Sequence, residues 1–286
     1  MYKFMYKLWN KLLEHEIVTR IIFGILLIII FGGAMTFRYP SLVHFLILAG
    51  AIGLNFEYYA LLAKRKIFLW RSMLGVPILI LISLPYLGLA LHRTLLVVAG
   101  LLLILLVLFL IGQFFLKDLL AKVEFYLLHF VWIVLPTLFF FLLTHIENGK
   151  IYLSFLALIV ASNDIFAYFV GKTWGRHKLA VKISPKKTIE GSLAGLIGGG
   201  GLGFLINYFF PVFGSYEVLF ISGLIIISAQ IGDLLASHFK RLSKAKDSGS
   251  IIPGHGGILD RLDGFLPAIW VLFGYLYLVK GVYYLL

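Results

Sequence analysis

The sequence predicts an all-α integral membrane protein, a polytopic bundle of about nine transmembrane helices with its polar chemistry near the cytoplasmic face. Three observations support this fold class. The 286 residues are 61% hydrophobic and 13% charged, with a mean hydropathy of +1.01, whereas soluble domains are about 45–50% apolar and about 25% charged. Nine apolar stretches are each about as long as the roughly 20 residues that cross a bilayer as a helix. Finally, almost all lysine and arginine residues fall on one side of the membrane when the predicted spans alternate in direction.

The nine predicted spans are joined by short connections, except for two polar segments at 172–190 and 236–263. Five spans lie in an N-terminal part, 1–150, and four lie in a C-terminal part, 151–286, which holds both polar segments. We therefore expect function to reside in the C-terminal part. In chain order the spans are 17–36, 41–62, 73–92, 95–116, 125–144, 151–171, 191–210, 216–235 and 264–285.

The distribution of lysine and arginine predicts the orientation. If the N-terminus is cytoplasmic and the spans alternate in direction, 21 of the 25 basic residues lie on the inner side. An excess of this kind marks the cytoplasmic loops of membrane proteins. The sequence therefore predicts a cytoplasmic N-terminus and, with an odd number of spans, a C-terminus on the outside. The four outer basic residues are Arg38, Arg93, Lys150 and Lys280.

Composition excludes several classes of protein. The chain contains no cysteine, which rules out disulfides, zinc–thiolate sites, iron–sulfur clusters and a thiol nucleophile. The net charge of +12 would suggest nucleic acid binding in a soluble protein. In a membrane protein it is accounted for by basic loops that face anionic lipid. We therefore expect anionic phospholipids, and no nucleic acid, among the partners.

A glycine-rich segment in the seventh span has two interpretations. Residues 198–203 satisfy the pattern G-x-G-x-x-G, but a dinucleotide site also needs a preceding strand and an acidic residue about 20 positions later, and both are missing. Glycines also recur every fourth residue, which forms a smooth stripe where another helix can pack closely. The sequence favours helix packing. The stripe consists of Gly191, Gly195, Gly199 and Gly203.

Polar residues within the predicted spans need a physical reason, since a charged group there is unfavourable by about 2.5–3.5 kcal/mol on insertion scales. Glu57 lies near the cytoplasmic end of the second span, where a carboxylate that reaches the interface accounts for it; a functional role is the second interpretation. Asn163 and Asp164 precede the end of the sixth span, and Asp233 ends the eighth span at the same face. Asp164 and Asp233 can therefore lie close together at this face. They either form a binding site or make hydrogen bonds between helices.

The segment 236–263 has the composition of a metal and phosphate site. Carboxylates are ligands that suit Mg²⁺, which leaves its other positions to water and phosphate, while lysine and arginine bind phosphates. Glycines next to a histidine allow the backbone to approach a ligand closely. These residues predict Mg²⁺ and a polyphosphate at the membrane surface; a basic loop that binds lipid headgroups is the alternative. The residues are Lys240, Arg241, Lys244, Lys246, Asp247, His255, Asp260, Arg261 and Asp263.

The other polar segment, 172–190, ends in Ser184-Pro185-Lys186-Lys187-Thr188, directly before the next span. Proline disfavours helix in the residue before it, so the two lysines stand at the entrance of the following helix. Helix N-termini bind anions. The two lysines form either an anion-binding site or a positively charged flank of the span, and the sequence supports both interpretations equally.

The stretch SHFKRLSKAKDSGSIIPGHGGILDRLD, residues 237–263, resembles the signature of phosphatidate cytidylyltransferases, also called CDP-diacylglycerol synthases. That signature runs S-x-apolar-K-R-x₄-K-D-x-small-x₂-apolar-P-x-H-G-G-apolar-x-D-R-apolar-D, and every specified position is met without gaps. The upstream block is similar to the second well-known region of the family. It comprises Asn163-Asp164, Ala167-Tyr168, Gly171-Lys172, Gly175, Ser184-Pro185-Lys186-Lys187-Thr188 and Glu190-Gly191.

The resemblance implies a nucleotidyltransferase of phospholipid biosynthesis, which converts CTP and phosphatidic acid into CDP-diacylglycerol and pyrophosphate. It implies Mg²⁺ as the cofactor, with a second cation of unspecified identity beside it. A bacterial inner membrane suits such a chain, with the active site on the cytoplasmic side. A homodimer is compatible with the sequence.

The resemblance also implies residue roles. Asp233 and Asp260 would ligate the metal, and Asp263 would assist as a ligand or behind the ligands. His255 would bind a phosphate or orient a ligand. Phosphates of CTP and the departing pyrophosphate would be held by Lys240, Arg241, Lys246 and Arg261. The remaining substrate and support residues would be Lys186, Lys187, Ser237, Asn163 and Asp164.

Other functional classes remain as alternatives. A related transferase could use CTP to modify another membrane lipid phosphate. A secondary transporter would use Asp164, Glu57 and Asp233 as an ion relay, but transporters often show internal repeats, and here the polar chemistry is confined to one half and one face. A lipid-binding scaffold would need neither Mg²⁺ nor CTP. The D-G-x₂-A-R motif of CDP-alcohol phosphotransferases is absent, since Asp263-Gly264 continues Phe265-Leu266-Pro267.

Overall fold

A computed structural model of the protein describes residues 32–33, 41–64, 127–249, 251 and 256–281. These residues contain seven α-helices and one two-stranded antiparallel sheet. The predicted spans 73–92 and 95–116, and all but two residues of 17–36, lie outside the described residues.

Residues 65–126, between the first and second helices, lie outside the described residues, and a hairpin of two strands is inserted between the third and fourth helices. A π-helical turn, Phe130–Val134, leads into the second helix. The elements are α1 (Ser41–Lys64), α2 (Leu135–Leu143), α3 (Gly149–Thr173), β1 (Lys178–Ala180), β2 (Ser184–Thr188), α4 (Ile189–Phe209), α5 (Ser215–Leu242), α6 (Leu259–Leu262) and α7 (Phe265–Leu278).

Four of these helices are long and apolar enough to cross a membrane, namely α1, α3, α4 and α5. The helical stretch Leu127–Leu143 and helix α7 are apolar but shorter. The protein is therefore a multi-pass membrane protein built mostly of helices. The predicted spans 41–62, 151–171, 191–210 and 216–235 all correspond to long apolar helices, while the total of about nine spans stays a prediction.

The glycine stripe of α4 packs against α3, as its four-residue spacing predicted. Gly191, Gly195, Gly199 and Gly203 are all buried. A Cβ at Gly199 would lie 3.2 Å from the carbonyl oxygen of Ile159 on α3, which leaves little room for a side chain. Small residues at such a stripe let two helix backbones approach closely. This close packing of α3 and α4 brings the polar ends of both helices together.

Aromatic packing joins α1 to the C-terminal end of α5. The rings of Tyr58 on α1 and Phe239 on α5 are stacked with their centroids 5.3 Å apart. The edge of Trp132 meets Phe239 with the ring centroids 5.8 Å apart. Offset and edge-to-face arrangements of this kind are favourable beyond the burial of the rings. Helix α1 is therefore held beside the polar end of α5.

Helix α5 is longer than the predicted span 216–235. It has 28 residues and runs to Leu242, which corresponds to about 42 Å at 1.5 Å per residue, against a hydrocarbon core of about 30 Å. The helix is therefore longer than the hydrocarbon core is thick, and the basic residues Lys240 and Arg241 in its last turn complement the helix dipole. The polar segment 236–263 is therefore helical over its first seven residues and again over Leu259–Leu262.

The polar segment 172–190 contains a β-hairpin, so the prediction of an all-α protein was wrong at this point. Strands β1 and β2 pair antiparallel, with Lys178 opposite Thr188 and Ala180 opposite Ser184. Ser184-Pro185 disfavours helix here, as expected. Hydropathy revealed the polar character of this segment but could not show that its two arms hydrogen-bond to each other.

Candidate active site

The polar end of α5 carries the first part of the candidate site. Asp233, Ser237 and Lys240 are separated by four and three residues, which places them along one face of the helix. The hydroxyl of Ser237 donates to Oδ1 of Asp233 at 3.4 Å. A carboxylate, a hydroxyl and an ammonium group thus follow one another toward the end of the helix.

Lys240 and Asp260 form a buried ion pair. Nζ of Lys240 lies 2.5 Å from Oδ1 of Asp260, and the two side chains are only 11% and 12% exposed. Oδ2 of Asp260 accepts the backbone N–H of Ser248 at 2.9 Å and the backbone N–H of Gly257 at 3.1 Å. Buried charges persist only when they are paired and hydrogen-bonded. Asp260 therefore ties α5 to both ends of the segment that follows it.

The surroundings of Asp260 favour its ionised form. Burial alone would raise the pKa of the Asp260 carboxyl, but the hydrogen bond and charge of Lys240 and the N–H groups of Ser248 and Gly257 outweigh burial. The pKa of Asp260 therefore lies below its ordinary value. A carboxylate that accepts several N–H donors beside a cation behaves in this way.

A second lysine–aspartate pair joins the two polar segments of the sequence. Nζ of Lys187, at the end of β2, contacts Oδ2 of Asp233 on α5, and both side chains are partly exposed. Thr188 then caps α4, since its side-chain oxygen accepts the N–H of Gly191 at 3.1 Å. Such an N-cap fixes the start of the helix and holds Lys187 beside Asp233.

Two further aspartates lie within electrostatic range of Asp233. Burial, and then the charge of Asp233, raises the pKa of Asp263 to about 8, and Asp164 acts on it in the same direction. Asp164 also interacts electrostatically with Lys187 and Arg261. Asp263 Oδ1 accepts the N–H of Gly264 at 2.9 Å. Three carboxylates from α3, α5 and the turn before α7 therefore repel one another at one place.

A network of amides positions Asp164. Nδ2 of Asn163 donates to Oδ1 of Asp164 at 3.0 Å, and Oδ1 of Asn163 accepts from Nε2 of Gln230 at 2.8 Å. Gln230 also accepts from the hydroxyl of Ser192 and donates to its backbone oxygen. Asn163 is 2% exposed. It supports the aspartate from behind, while Gln230 and Ser192 are members of the site that the sequence did not reveal.

The hairpin is fixed at its base by Glu190. Oε2 of Glu190 accepts the backbone N–H of Arg176 at 3.1 Å, and Oε1 lies 2.6 Å from Nδ1 of His177. Glu190 is the first acidic residue after the basic run that begins at Lys172. Glu190 therefore fixes the neck of the hairpin, and no acidic residue lies between Lys172 and Glu190 in the sequence.

The remaining predicted site residues are Arg241, His255, Lys186, Lys246 and Arg261. Arg241 donates to the carbonyl oxygen of Ala245 at 3.3 Å. His255 lies outside the described residues. The other basic residues are exposed toward solvent, where they are accessible to a phosphate-bearing ligand. They are Lys186, Lys246 and Arg261.

Of the two interpretations of Glu57, the one that placed its carboxylate at the interface was wrong. A carboxylate that reaches out to the interface would be solvated, whereas Glu57 is 2% exposed. It accepts three hydrogen bonds from residues 248–259. Helix α1 of the N-terminal part therefore contributes a buried charged group to the C-terminal part.

The predicted metal ligands are not assembled as a trio. Within the described ranges no group of three histidine, aspartate or glutamate side chains is arranged to hold a metal ion. Asp260 is paired with Lys240 and accepts the backbone N–H of Ser248, and its role as a metal ligand stays a prediction. The donor chemistry nevertheless suits a hard cation, since Asp164, Asp233 and Asp263 supply oxygen ligands whose mutual repulsion a cation would relieve.

Comparison with known families identifies the family of the chain. Residues 18–279 match the model of the cytidylyltransferase family. The match covers nearly the whole chain, and the chain belongs to this family of nucleotidyltransferases. The resemblance found in residues 237–263 is thereby confirmed.

Several relatives share sequence with this chain. Over 147 residues it is 43% identical to the phosphatidate cytidylyltransferase of Rickettsia bellii, covering 48% of this chain and 60% of that protein. Over 163 residues it is 37% identical to the enzyme of the same name from Rickettsia typhi, covering 54% of this chain and 71% of that protein. Over 125 residues it is 39% identical to the one from Bacillus subtilis, covering 42% and 45%.

Proposed function

We propose that the protein transfers the cytidylyl group of CTP to phosphatidic acid, giving CDP-diacylglycerol and pyrophosphate. The observation that carries the proposal is the pairing of Lys240 with Asp260 and of Lys187 with Asp233 at one end of the membrane-crossing helices. These pairs gather cations that suit phosphates and carboxylates that suit a divalent cation. The names of the relatives, which refer to the same lipid substrate, support the proposal.

The reaction calls for positioning and charge neutralisation rather than a protein nucleophile. An oxygen of the phosphatidate phosphate attacks the α-phosphorus of CTP. A new P–O bond forms as the bond from the α-phosphorus to the bridging oxygen breaks, and pyrophosphate leaves with that electron pair. Because the second pKa of a phosphate monoester is about 6, phosphatidate is already ionised near neutral pH and needs no general base.

The proposal includes a dependence on Mg²⁺. Asp233 and Asp263 would hold the cation, with Asp164 beside them. When bound, Mg²⁺ supplies neutralisation of the triphosphate charge and polarises the α-phosphoryl group. Asp260 can join as a ligand only if Lys240 releases it.

Lys240 and Lys187 can each exchange their aspartate partner for a phosphate. Lys240 can leave Asp260 for a phosphate of CTP, and Lys187 can leave Asp233 in the same way. Each exchange replaces one charge-assisted contact of the lysine by another and frees a carboxylate for the cation. In this proposal the phosphates of CTP and the departing pyrophosphate contact Lys240, Arg241, Lys246, Arg261, Lys186, Lys187 and His255.

The hairpin suits contact with anionic phospholipids. It follows directly on α3 and precedes α4, so it lies at the end of two membrane-crossing helices. Its lysines are accompanied by Trp174 and Val181, which are 72% and 65% exposed. Aromatic side chains favour the membrane interface, and basic groups near the surface attract anionic lipid. We propose that the hairpin rests on the cytoplasmic leaflet of a bacterial inner membrane.

A second candidate is a CTP-dependent transferase that acts on another lipid phosphate. The residues above would recognise a phosphate and not the rest of the lipid, so this candidate uses the same site. A transporter is disfavoured, because Glu57, one of its three relay groups, is fixed by three hydrogen bonds.

The test is pyrophosphate release by the detergent-purified protein from CTP and Mg²⁺, with and without phosphatidic acid. We expect release to require all three components and to equal the amount of CDP-diacylglycerol formed. Release with a different phosphorylated lipid, but not with phosphatidic acid, would favour the second candidate. Absence of release with every phosphorylated lipid would contradict the proposal.

A further inference from the structure

Glu57 is a buried carboxylate that the reaction described above does not use. It lies on α1, about 190 residues before the segment it binds. Its Oε2 accepts the hydroxyl of Ser248 at 2.7 Å and the backbone N–H of Leu259 at 2.8 Å, and its Oε1 accepts the backbone N–H of Ile258 at 2.8 Å. A buried charge is unfavourable unless it is hydrogen-bonded, and here both oxygens are bonded to the same short segment.

The chain around Glu57 is shaped to fit the carboxylate. A Cβ placed on Gly249 or on Gly257 would lie 2.7 Å from Oε1 of Glu57, so a side chain at either position would collide with it. Gly256 has a φ of 84°, which glycine adopts readily and other residues rarely do. Glycine thus occurs where the backbone must close over the carboxylate. The fit is too close to be an accidental contact.

Ser248 links Glu57 to the buried ion pair. Its hydroxyl lies 2.7 Å from Oε2 of Glu57 and 3.0 Å from Oδ2 of Asp260, and its backbone N–H donates to the same Oδ2. A hydroxyl has one proton to donate, so the shorter contact with Glu57 orients Ser248. Asp260 then pairs with Lys240. Glu57, Ser248, Asp260 and Lys240 form one continuous chain of contacts from α1 to α5.

We propose that Glu57 is a positioning residue of the nucleotide site, which acts through Ser248 to hold Asp260 and Lys240 where phosphate and cation bind. It contacts neither substrate, and the proposal rests on the proposed function. Groups that orient ligands from behind typically contribute about 10- to 100-fold to metal affinity or activity. Helix α1 therefore contributes a positioning residue to the site, although the sequence locates the polar chemistry in the C-terminal part.

The experiment compares Glu57→Gln with a matched control, Glu217→Gln. Glu217 on α5 also joins two elements, since its Oε1 accepts from Tyr275 at 2.8 Å and lies 2.9 Å from Nζ of Lys280, but it shares no contact with the chain from Glu57 to Lys240. Glutamine at position 57 places an NH₂ group against backbone donors, so at least one of the three bonds is lost. Both variants should lower the thermal midpoint, and only Glu57→Gln should affect catalysis.

We expect Glu57→Gln to lower kcat by about 10- to 100-fold and to raise the Mg²⁺ concentration for half-maximal rate, with less effect on the KM for phosphatidic acid. Hydrogen exchange of the peptide that covers 256–262 should accelerate in this variant and not in Glu217→Gln. Ser248→Ala, which leaves the two backbone bonds to Glu57, should shift the same quantities less and remain testable if Glu57→Gln does not fold.

The proposal is overturned if Glu57→Gln, or Ser248→Ala in its place, keeps kcat and the Mg²⁺ requirement within twofold of the wild type. It is equally overturned if exchange of 256–262 is unchanged. A wild-type protein without transfer activity would instead refute the proposed function, and the exchange measurement would then still decide whether Glu57 holds this segment.

Discussion

Asp263 should lower stability and support activity at the same time. Its pKa is raised from 3.8 to about 8 by burial and by Asp233, so the folded protein binds a proton more tightly than the unfolded chain does. Without divalent cation, stability should therefore fall as the pH rises from about 4 to about 8 and change little from this group above that. Asp263→Asn removes the titration, and its thermal midpoint should exceed the wild-type value by a margin that grows between pH 5 and pH 8.

The same substitution should abolish most of the transfer activity. Loss of one group that stabilises charge in a transition state typically lowers kcat by about 100- to 1,000-fold. Mg²⁺ should raise the thermal midpoint of the wild type more than that of Asp263→Asn. The control is Glu147→Gln, at an exposed position outside the site, which should change neither quantity. A fully active Asp263→Asn variant would exclude Asp263 from the cation site.

The buried pair of Lys240 and Asp260 predicts a different pattern. Lys240→Met leaves Asp260 buried without its cation, which should lower the free energy of unfolding by about 3–5 kcal/mol. The double variant Lys240→Met with Asp260→Asn removes the unpaired charge, so it should recover much of the stability and none of the activity. Chemical denaturation and the transfer assay measure the two effects. Equal stability of the single and double variants would contradict the pairing.

The pH dependence of this pair has the opposite sign to that of Asp263. The folded-state pKa of Asp260 is lowered, so the stabilisation is complete above its unfolded value of 3.8 and is lost as the pH falls through the lower folded value. The wild type should therefore lose stability below about pH 4 relative to the double variant. Acid titration of both proteins checks this sign.

The sequence revealed both partners of the two lysine–aspartate pairs but missed the partners of Glu57 and of Asn163. Asp233, Lys240 and Asp260 were predicted as site residues because charged groups in a membrane protein are few and because the signature contains Lys240 and Asp260. Glu57 was misinterpreted because its partner Ser248 is 191 positions away. Gln230 and Ser192 are uncharged, so hydropathy gave no reason to single them out. The backbone N–H groups that bind a buried carboxylate cannot be recognised from the sequence, because nearly every residue type carries one.

At the scale of elements, the α3–α4 contact should depend on the glycine stripe. A Cβ at Gly195 would collide with the side chain of Asn163 and lie 2.9 Å from its backbone oxygen. Gly195→Val should therefore lower the free energy of unfolding by about 1–3 kcal/mol through overpacking, and it should reduce activity because Asn163 supports Asp164. The matched control is Gly201→Ala on the same helix, where a Cβ would meet nothing within 4 Å.

Thermal denaturation and the transfer assay compare the two glycine variants. Gly201→Ala should leave the thermal midpoint unchanged or raise it slightly, since alanine favours helix over glycine. A Gly195→Val protein as stable and as active as Gly201→Ala would show that the two helices do not pack through this stripe.

The sequence predicted which helices are present better than where they begin and end. The apolar stretches located α1, α3, α4 and α5, because an uninterrupted run of about 20 apolar residues is the length that a helix needs to cross a bilayer. The predicted end of α5 came about seven residues early, since hydropathy marks where apolar character stops and not where helical hydrogen bonding stops. The hairpin of β1 and β2 was missed because three- and five-residue strands with few β-branched or aromatic residues carry little strand signal.

At the scale of the whole molecule, the site joins both parts of the chain. The sequence separated an apolar part, 1–150, from a polar part, 151–286, and assigned function to the second. The structure instead draws Glu57 of the first part into contact with Ser248 of the second. The two parts differ in composition, but hydrogen bonds between buried groups connect them.

The predicted orientation can be tested across the whole chain, because the natural sequence has no cysteine and single cysteines can be introduced without background. In sealed inner-membrane vesicles whose cytoplasmic face is outward, a membrane-impermeant thiol reagent should label Lys182→Cys and should not label Lys150→Cys. In intact spheroplasts the pattern should reverse. Labelling of both positions from one side would contradict the alternating spans on which the orientation rests.

The most direct test of cytidylyl transfer is to follow the phosphorus atoms of CTP. The purified protein is given phosphatidic acid and Mg²⁺ with CTP that carries ³²P at either the α- or the γ-phosphate. Attack at the α-phosphorus predicts that the α-label appears in the lipid product and that the γ-label appears only in pyrophosphate. Transfer of the γ-label to lipid would identify a phosphotransferase, and α-label that remains in soluble nucleotide would show that the lipid phosphate is not the acceptor.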